Sequence, residues 1–181
     1  IPASTGTYPQ LMDLAFSAYQ QGLAVSVGLA LNGFDTHSDN EAGQTQGLKA
    51  LFALLGAILD EAERRGLPVL IVATSDFGRT PHYTNSGTDH WPVSSVLILR
   101  SSAASGLALP SDRVIGGTTD GDVTQALRAQ KIDPQALKLD GAGIVMTPGH
   151  VVRALRRVTR VDGSPALARF PLSGDRDLAL G

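Results

Sequence analysis

Cysteine is absent from the 181 residues. That excludes disulfides, thiolate zinc sites and cysteine nucleophiles, and it leaves the compartment open. No apolar run approaches the roughly 18 residues that a membrane-spanning helix needs, so no membrane span is expected. An excess of positive charge is also missing. Fifteen Lys and Arg stand against 17 Asp and Glu, for a net charge of −2, and such a chain carries no basic field for nucleic acid. Internal repeats, low-complexity segments and a convincing linker are absent, and no signal or transit peptide is visible. The first residue is Ile1 rather than Met, which gives the expectation that upstream residues have been removed or left out.

What is present is an ordinary globular proportion of apolar residues, 43%, in a chain long enough for one domain with its own core. Helical spacing of Tyr8, Leu11, Met12, Ala15 and Tyr19 predicts a helix from about Tyr8 to Gln21, stopped by Gly22. A second helix is predicted from about Gln44 to Arg65, where Leu48, Leu51, Phe52, Leu55, Ile58, Leu59 and Ala62 repeat on one face. Arg64 and Arg65 suit the negative end of its dipole, and Gly66 ends it. A third helix is predicted to start near Thr147 and Pro148, with Thr as cap and Pro at the first position. His150 falls in its first turn as a capping or solvent-facing side chain, and DVTQALRAQ reads as a short helix.

Three apolar runs read as strands: Leu23–Leu31, Leu67–Ser75 and Val93–Ser101. The first two are apolar at consecutive positions, as strands buried on both faces of a parallel sheet are, and a helix joins them in a βαβ pattern. RVIGGTTDGD reads as a strand and turn. It lacks the P-loop lysine and the Rossmann spacing, so it is no phosphate cradle.

Ionisable residues gather at the ends of these runs. GFDTH follows the first, SDFGR follows the second, and GTDHWP leads into the third. In parallel α/β sheets, ligands bind beyond the carboxyl ends of the strands. Asp35, His37 and Asp76 sit just past two such ends, and a returning loop can bring His90 to the same edge. Carboxylates and imidazoles without cysteine suit zinc, manganese or another divalent ion. Arg79 offers a fork of donors for phosphate or sulfate. The residue types leave a plainer alternative open. Aspartate after a strand also forms turns or caps helices, and a histidine beside a tryptophan also packs as a hydrogen-bonded ring. Trp91 reads as packing for its loop. Ser38, Thr74 and Ser75 lie near these motifs as structural hydroxyls, which leaves the nucleophile unknown.

GFDTHSDN, then an amphipathic helix, then VLIVATSDFGRTP and GTDHWPVSSVLIL, together resemble the C-terminal half of a bacterial family known as a domain of unknown function, DUF1501, within the alkaline phosphatase and sulfatase superfamily. The resemblance runs from about Leu23 to Val161, with RVIGGTTDGDVTQAL and TPGHVVRALRRVTRVD matching its closing segments. It implies an α/β fold, an alkaline-phosphatase-like αβα sandwich with a mostly parallel sheet, of which residues 1–181 are a single domain or the C-terminal part of one. It implies a divalent metal, zinc first and manganese, calcium or magnesium as alternatives, held by Asp35, His37 and His90. Asp76 resembles the aspartate of a second metal, where Phe77 stands in place of the usual histidine, so Asp89 or His82 is the candidate substitute or substrate contact. Arg79 is the residue expected to act as the catalytic and substrate-binding cation. The implied activity is hydrolysis of phosphate or sulfate esters. The alternative is a non-catalytic metal- or glycan-binding scaffold on the same fold. The nucleophile-bearing N-terminal half is expected upstream, as a missing partner segment. The resemblance also implies export to the periplasm, often by the twin-arginine route.

Overall fold

The computed structural model describes residues 8–119, 127–172 and 177–180. Its first elements are α1 (Tyr8–Gln20) and α2 (Asn40–Arg65). There follow β1 (Leu70–Ala73), β2 (Gly78–Arg79), β3 (His90–Trp91), β4 (Leu97–Arg100), β5 (Lys131–Asp133), β6 (Lys138–Leu139), β7 (Ile144–Val145) and α3 (Pro148–Val158). Helices and strands are therefore mixed along the chain. They form two compact units: among the described residues, 8–74, 83–89 and 96–104 make one, and 75–82, 90–95, 105–119, 127–172 and 177–180 the other.

In the first unit, α1 and α2 pack through one arginine. Arg65 lies 5.3 Å over the Phe16 ring and pairs with Asp13 and Glu61 at 2.5 Å each. The guanidinium lies over the ring face while its nitrogens stay paired with the two carboxylates. Phe16, Leu55 and Ala62 are buried. Glu61 also pairs with Arg64. The hydrogen bonds from Arg64 and then Arg65 pull the Glu61 carboxyl down from 4.5 to about 2. Gly66 closes α2 in the left-handed region, φ 63°, the cap expected from its position. Just beyond it, the Ser101 hydroxyl donates to the Leu67 carbonyl and accepts from Val69 N–H.

β1 pairs with β4, Leu70 opposite Arg100 and Ala73 opposite Leu97. The pairing is antiparallel, where the consecutive apolar residues predict parallel strands. The physical reason is the connection. A parallel partner needs a crossover, usually helical, and no helix lies between Ala73 and Leu97. Every ladder among the described residues is antiparallel. The predicted strand Leu23–Leu31 forms no ladder, and its Leu23 and Val25 are 81% and 92% exposed.

The second unit is built around β5, which pairs with β6 on one side and β7 on the other. Ile132 on β5 is fully buried and packs with Leu137, Ala154, Val158, Leu178 and Leu180. α3 covers this sheet and starts as expected: Thr147 caps it, Pro148 follows, and the Thr147 backbone N–H donates to His150 Nδ1 at 3.1 Å. His150 is thus the far half of a capping box. Among its described residues, RVIGGTTDGD contributes one isolated bridge, Thr118 to Ala129. Residues 122–126 of the predicted DVTQALRAQ helix lie outside the described residues, and residues 127–130 are not helical.

Candidate metal centre

The loop after residue 31 lies along the first turns of α2, and the helix makes room for it. A Cβ on Gly43 would come within 2.5 Å of the Thr36 methyl, and one on Gly47 within 2.9 Å of the Phe34 ring. Each glycine costs an exposed helix roughly 1 kcal/mol relative to alanine, so two on this face are explained by the close approach. Gln44 reaches back from α2. Its side-chain amide donates to the Phe34 carbonyl at 2.7 Å and to Thr36 Oγ1 at 2.8 Å.

A second loop, Tyr83–Asp89, belongs to the same unit and folds as a tight turn. Thr84 and Gly87 bridge each other, with Asn85 in the left-handed region at φ 61°. Asn40, at the start of α2, ties both loops together. Its Oδ1 accepts from Thr36 Oγ1 at 2.6 Å and from Thr88 Oγ1 at 3.0 Å, and its backbone N–H donates to Ser86 O at 3.1 Å. Thr88 N–H donates to Thr36 O at 3.2 Å. Tyr83 OH donates to Glu41 Oε1 at 2.6 Å from the other side. Gly87 sits directly against His37: a Cβ there would lie 2.0 Å from the His37 carbonyl. The glycine of GTDH is needed because the backbone of DTH occupies the space a side chain would take.

This clamp brings together three predicted residues. His37 Nε2 lies 3.0 Å from Asp35 Oδ1, and His37 Nδ1 lies 3.4 Å from Asp89 Oδ1. The Asp89 carboxylate is itself held, since its Oδ2 accepts from Thr84 Oγ1 at 2.6 Å. All three side chains are about half exposed, from 51% to 61%, so water reaches the site. Asp89, expected as a substrate contact or a substitute ligand, is found at the back of the His37 ring. Thr84 and Asn40 were not singled out by the sequence. Asn40 closes the GFDTHSDN motif, but nothing in that spacing shows that its amide reaches Thr88.

The second unit holds Asp76, Arg79, His82 and His90. Arg79 on β2 stands directly opposite His90 on β3, with Gly78 opposite Trp91. Directly opposed residues of an antiparallel pair share a face, so the guanidinium and the imidazole leave the ribbon on the same side. Phe77, where the resemblance leads one to look for a histidine, stacks on the His90 ring at 3.8 Å and 26°. A Cβ on Gly78 would lie 1.9 Å from Val93 O, which fixes glycine in the SDFGR motif. Trp91, expected to pack its loop, donates from Nε1 to Leu127 O at 2.8 Å. Asp76 lies in an exposed bend after β1. His82 is exposed, and its backbone carbonyl accepts from Thr80 Oγ1 at 3.0 Å. Ser75 Oγ donates to Phe77 O at 2.8 Å and lies 3.0 Å from Ser94 Oγ, a structural hydroxyl as predicted.

Residues 5–100 match the family model described as "Protein of unknown function (DUF1501)", more than half of the chain. The chain belongs to the DUF1501 family. No curated protein matches it, and no solved structure does. The DUF1501 match spans both loops of the clamp and the β2–β3 ribbon, so every candidate site residue falls inside it, whereas α3 and the β5 sheet lie beyond.

The donor set fits a divalent cation. Two ligands of one tetrahedral ion, each about 2.0–2.1 Å from it, lie about 3.3 Å apart. Asp35 Oδ1 and His37 Nε2 have nearly that separation. A ligating imidazole commonly sets its other nitrogen against a carboxylate, and Asp89 stands there.

Proposed function

We propose that this DUF1501 chain carries the metal-binding part of a metal-dependent hydrolase of phosphate or sulfate esters. Asp35, His37 and His90 are the ligands, with zinc the first choice among divalent ions. The observation that carries this reading is the His37 ring set between two carboxylates, Asp35 at 3.0 Å and Asp89 at 3.4 Å, on a half-exposed loop. His90 follows Asp89 in the chain, so the backbone that presents one partner of His37 leads straight into the third ligand.

When bound, the cation would polarise an ester oxygen and lower the pKa of a coordinated water toward about 7. Arg79 offers two parallel donors to an anionic ester, from the ribbon position opposite His90. Phe77 holds the His90 ring by stacking and offers no ligand of its own, which favours one ion over two. Asp76 remains the proposed carboxylate of any second ion. The superfamily placement, the αβα sandwich with its parallel strands and the periplasmic location belong to the same proposal and rest on the resemblance.

A second reading has its own support. Ser75 is engaged in backbone and side-chain hydrogen bonds, and Phe77 removes a ligand, so the loops hold an ion or an anionic glycan without turnover. Purified full-length protein assayed against aryl phosphates and aryl sulfates separates the two. Turnover that is abolished by chelator, restored by zinc and lost in Arg79→Ala is expected of the hydrolase. Activity that survives complete metal removal would eliminate it, and tight binding without turnover would establish the scaffold.

A further inference from the structure

We infer that Thr84 and Asp89 are positioning residues that orient the His37 imidazole for the cation, so that the Tyr83–Asp89 turn tunes metal affinity without touching the metal. The inference rests on the proposed cation site and assigns its outer layer. Asp89 uses its two oxygens differently. Oδ1 faces His37 Nδ1 at 3.4 Å, while Oδ2 accepts the Thr84 hydroxyl at 2.6 Å. A carboxylate gripped at one oxygen has a fixed plane, so its other oxygen points in one direction. That direction is the rear nitrogen of the ring whose front nitrogen, Nε2, faces Asp35 at 3.0 Å. A proton held on Nδ1 by Asp89 leaves the Nε2 lone pair for a cation.

The surrounding backbone makes the arrangement stiff. Thr84 is paired with Gly87 across the turn, Gly87 lies against the His37 carbonyl, and Thr88 is tied to Thr36 and Asn40. Thr84, Asp89 and His37 therefore cannot move independently. The Thr84 hydroxyl, the group that grips Asp89, can be deleted without changing shape, because valine keeps the branched outline of threonine.

Zinc affinity, measured with zinc chloride against a chromophoric chelator at neutral pH, tests this. Outer carboxylates of this kind typically change metal affinity by about 10- to 100-fold. Thr84→Val and Asp89→Asn are each expected to weaken zinc binding by about 10-fold or more, and Thr84→Ser to restore the wild-type value. Metal-free unfolding midpoints should stay close to wild type, which separates orientation from folding. Wild-type zinc affinity in both Thr84→Val and Asp89→Asn would overturn the inference while leaving the cation site standing. Thr84→Ser as weak as Thr84→Val would remove the hydroxyl from the mechanism. A wild-type protein that takes up no zinc would overturn the cation site and this inference together.

Discussion

Gly87 sets how near the turn comes to His37, and the approach of Asp89 to the His37 ring follows from it. A methyl at this position would sit 2.0 Å from the His37 carbonyl, a distance no real pair of atoms tolerates. The atoms it would meet are all His37 backbone, so relief requires moving one loop. Overpacking of this kind typically costs about 1–3 kcal/mol. Gly87→Ala is expected to lose stability in that range by denaturant unfolding and to weaken zinc binding more than Thr84→Val does. An unfolding curve and a zinc affinity both equal to wild type would show that the contact yields easily. At this scale the motif residues were legible, since Asp35 and His37 stand together as the spacing D-x-H suggests. The role of Asp89 was not, because it depends on a contact across 52 positions of sequence. Asn40 was hidden for the same reason: its partner Thr88 is 48 residues away.

Among the elements, α2 bears the heaviest load. It supports the Asp35 loop at its first turns and ties to α1 at its last, where Glu61 accepts from Arg64 and Arg65. Folding holds the Glu61 carboxyl near 2 against an ordinary 4.5, chiefly through Arg64 and next through Arg65. A depressed carboxyl stabilises the fold above its unfolded value, and that contribution disappears as pH falls from about 4.5 to about 2. Wild-type melting temperature should therefore drop more steeply over that window than that of Glu61→Gln, which has no carboxyl to protonate. Parallel pH profiles for the two would contradict the coupling. Glu63 is pulled down as well, by the Ser102 hydroxyl and then the Ser102 backbone N–H, so a residual slope in Glu61→Gln is expected. The helices were legible because a 3.6-residue period repeats through each: α1 starts and stops close to its sequence signals, α3 starts at its own, and α2 begins four residues early. Strand partners carry no such local mark. Leu67–Ser75 reads as doubly buried, yet β1 is mostly half-buried and takes an antiparallel neighbour. The absence of a helix between β1 and β4 is the available clue to an antiparallel partner.

Across the whole molecule, the proposed chemistry draws on residues from both compact units, with Asp35, His37 and Asp89 in one and Asp76, Arg79, His82 and His90 in the other. The chain passes from the first to the second between Asp89 and His90. Cation binding restricted to the folded state would raise the melting temperature. Membership in DUF1501 gives a family without an activity, so the cation is the point on which function turns. Emission spectroscopy of protein purified without chelator measures it directly, on wild type, Asp35→Ala and His90→Ala in parallel. About one equivalent of zinc, manganese or calcium per wild-type chain is expected, with the content falling toward zero in both variants. Wild-type protein free of divalent metal, or metal retained undiminished in both variants, would contradict the site.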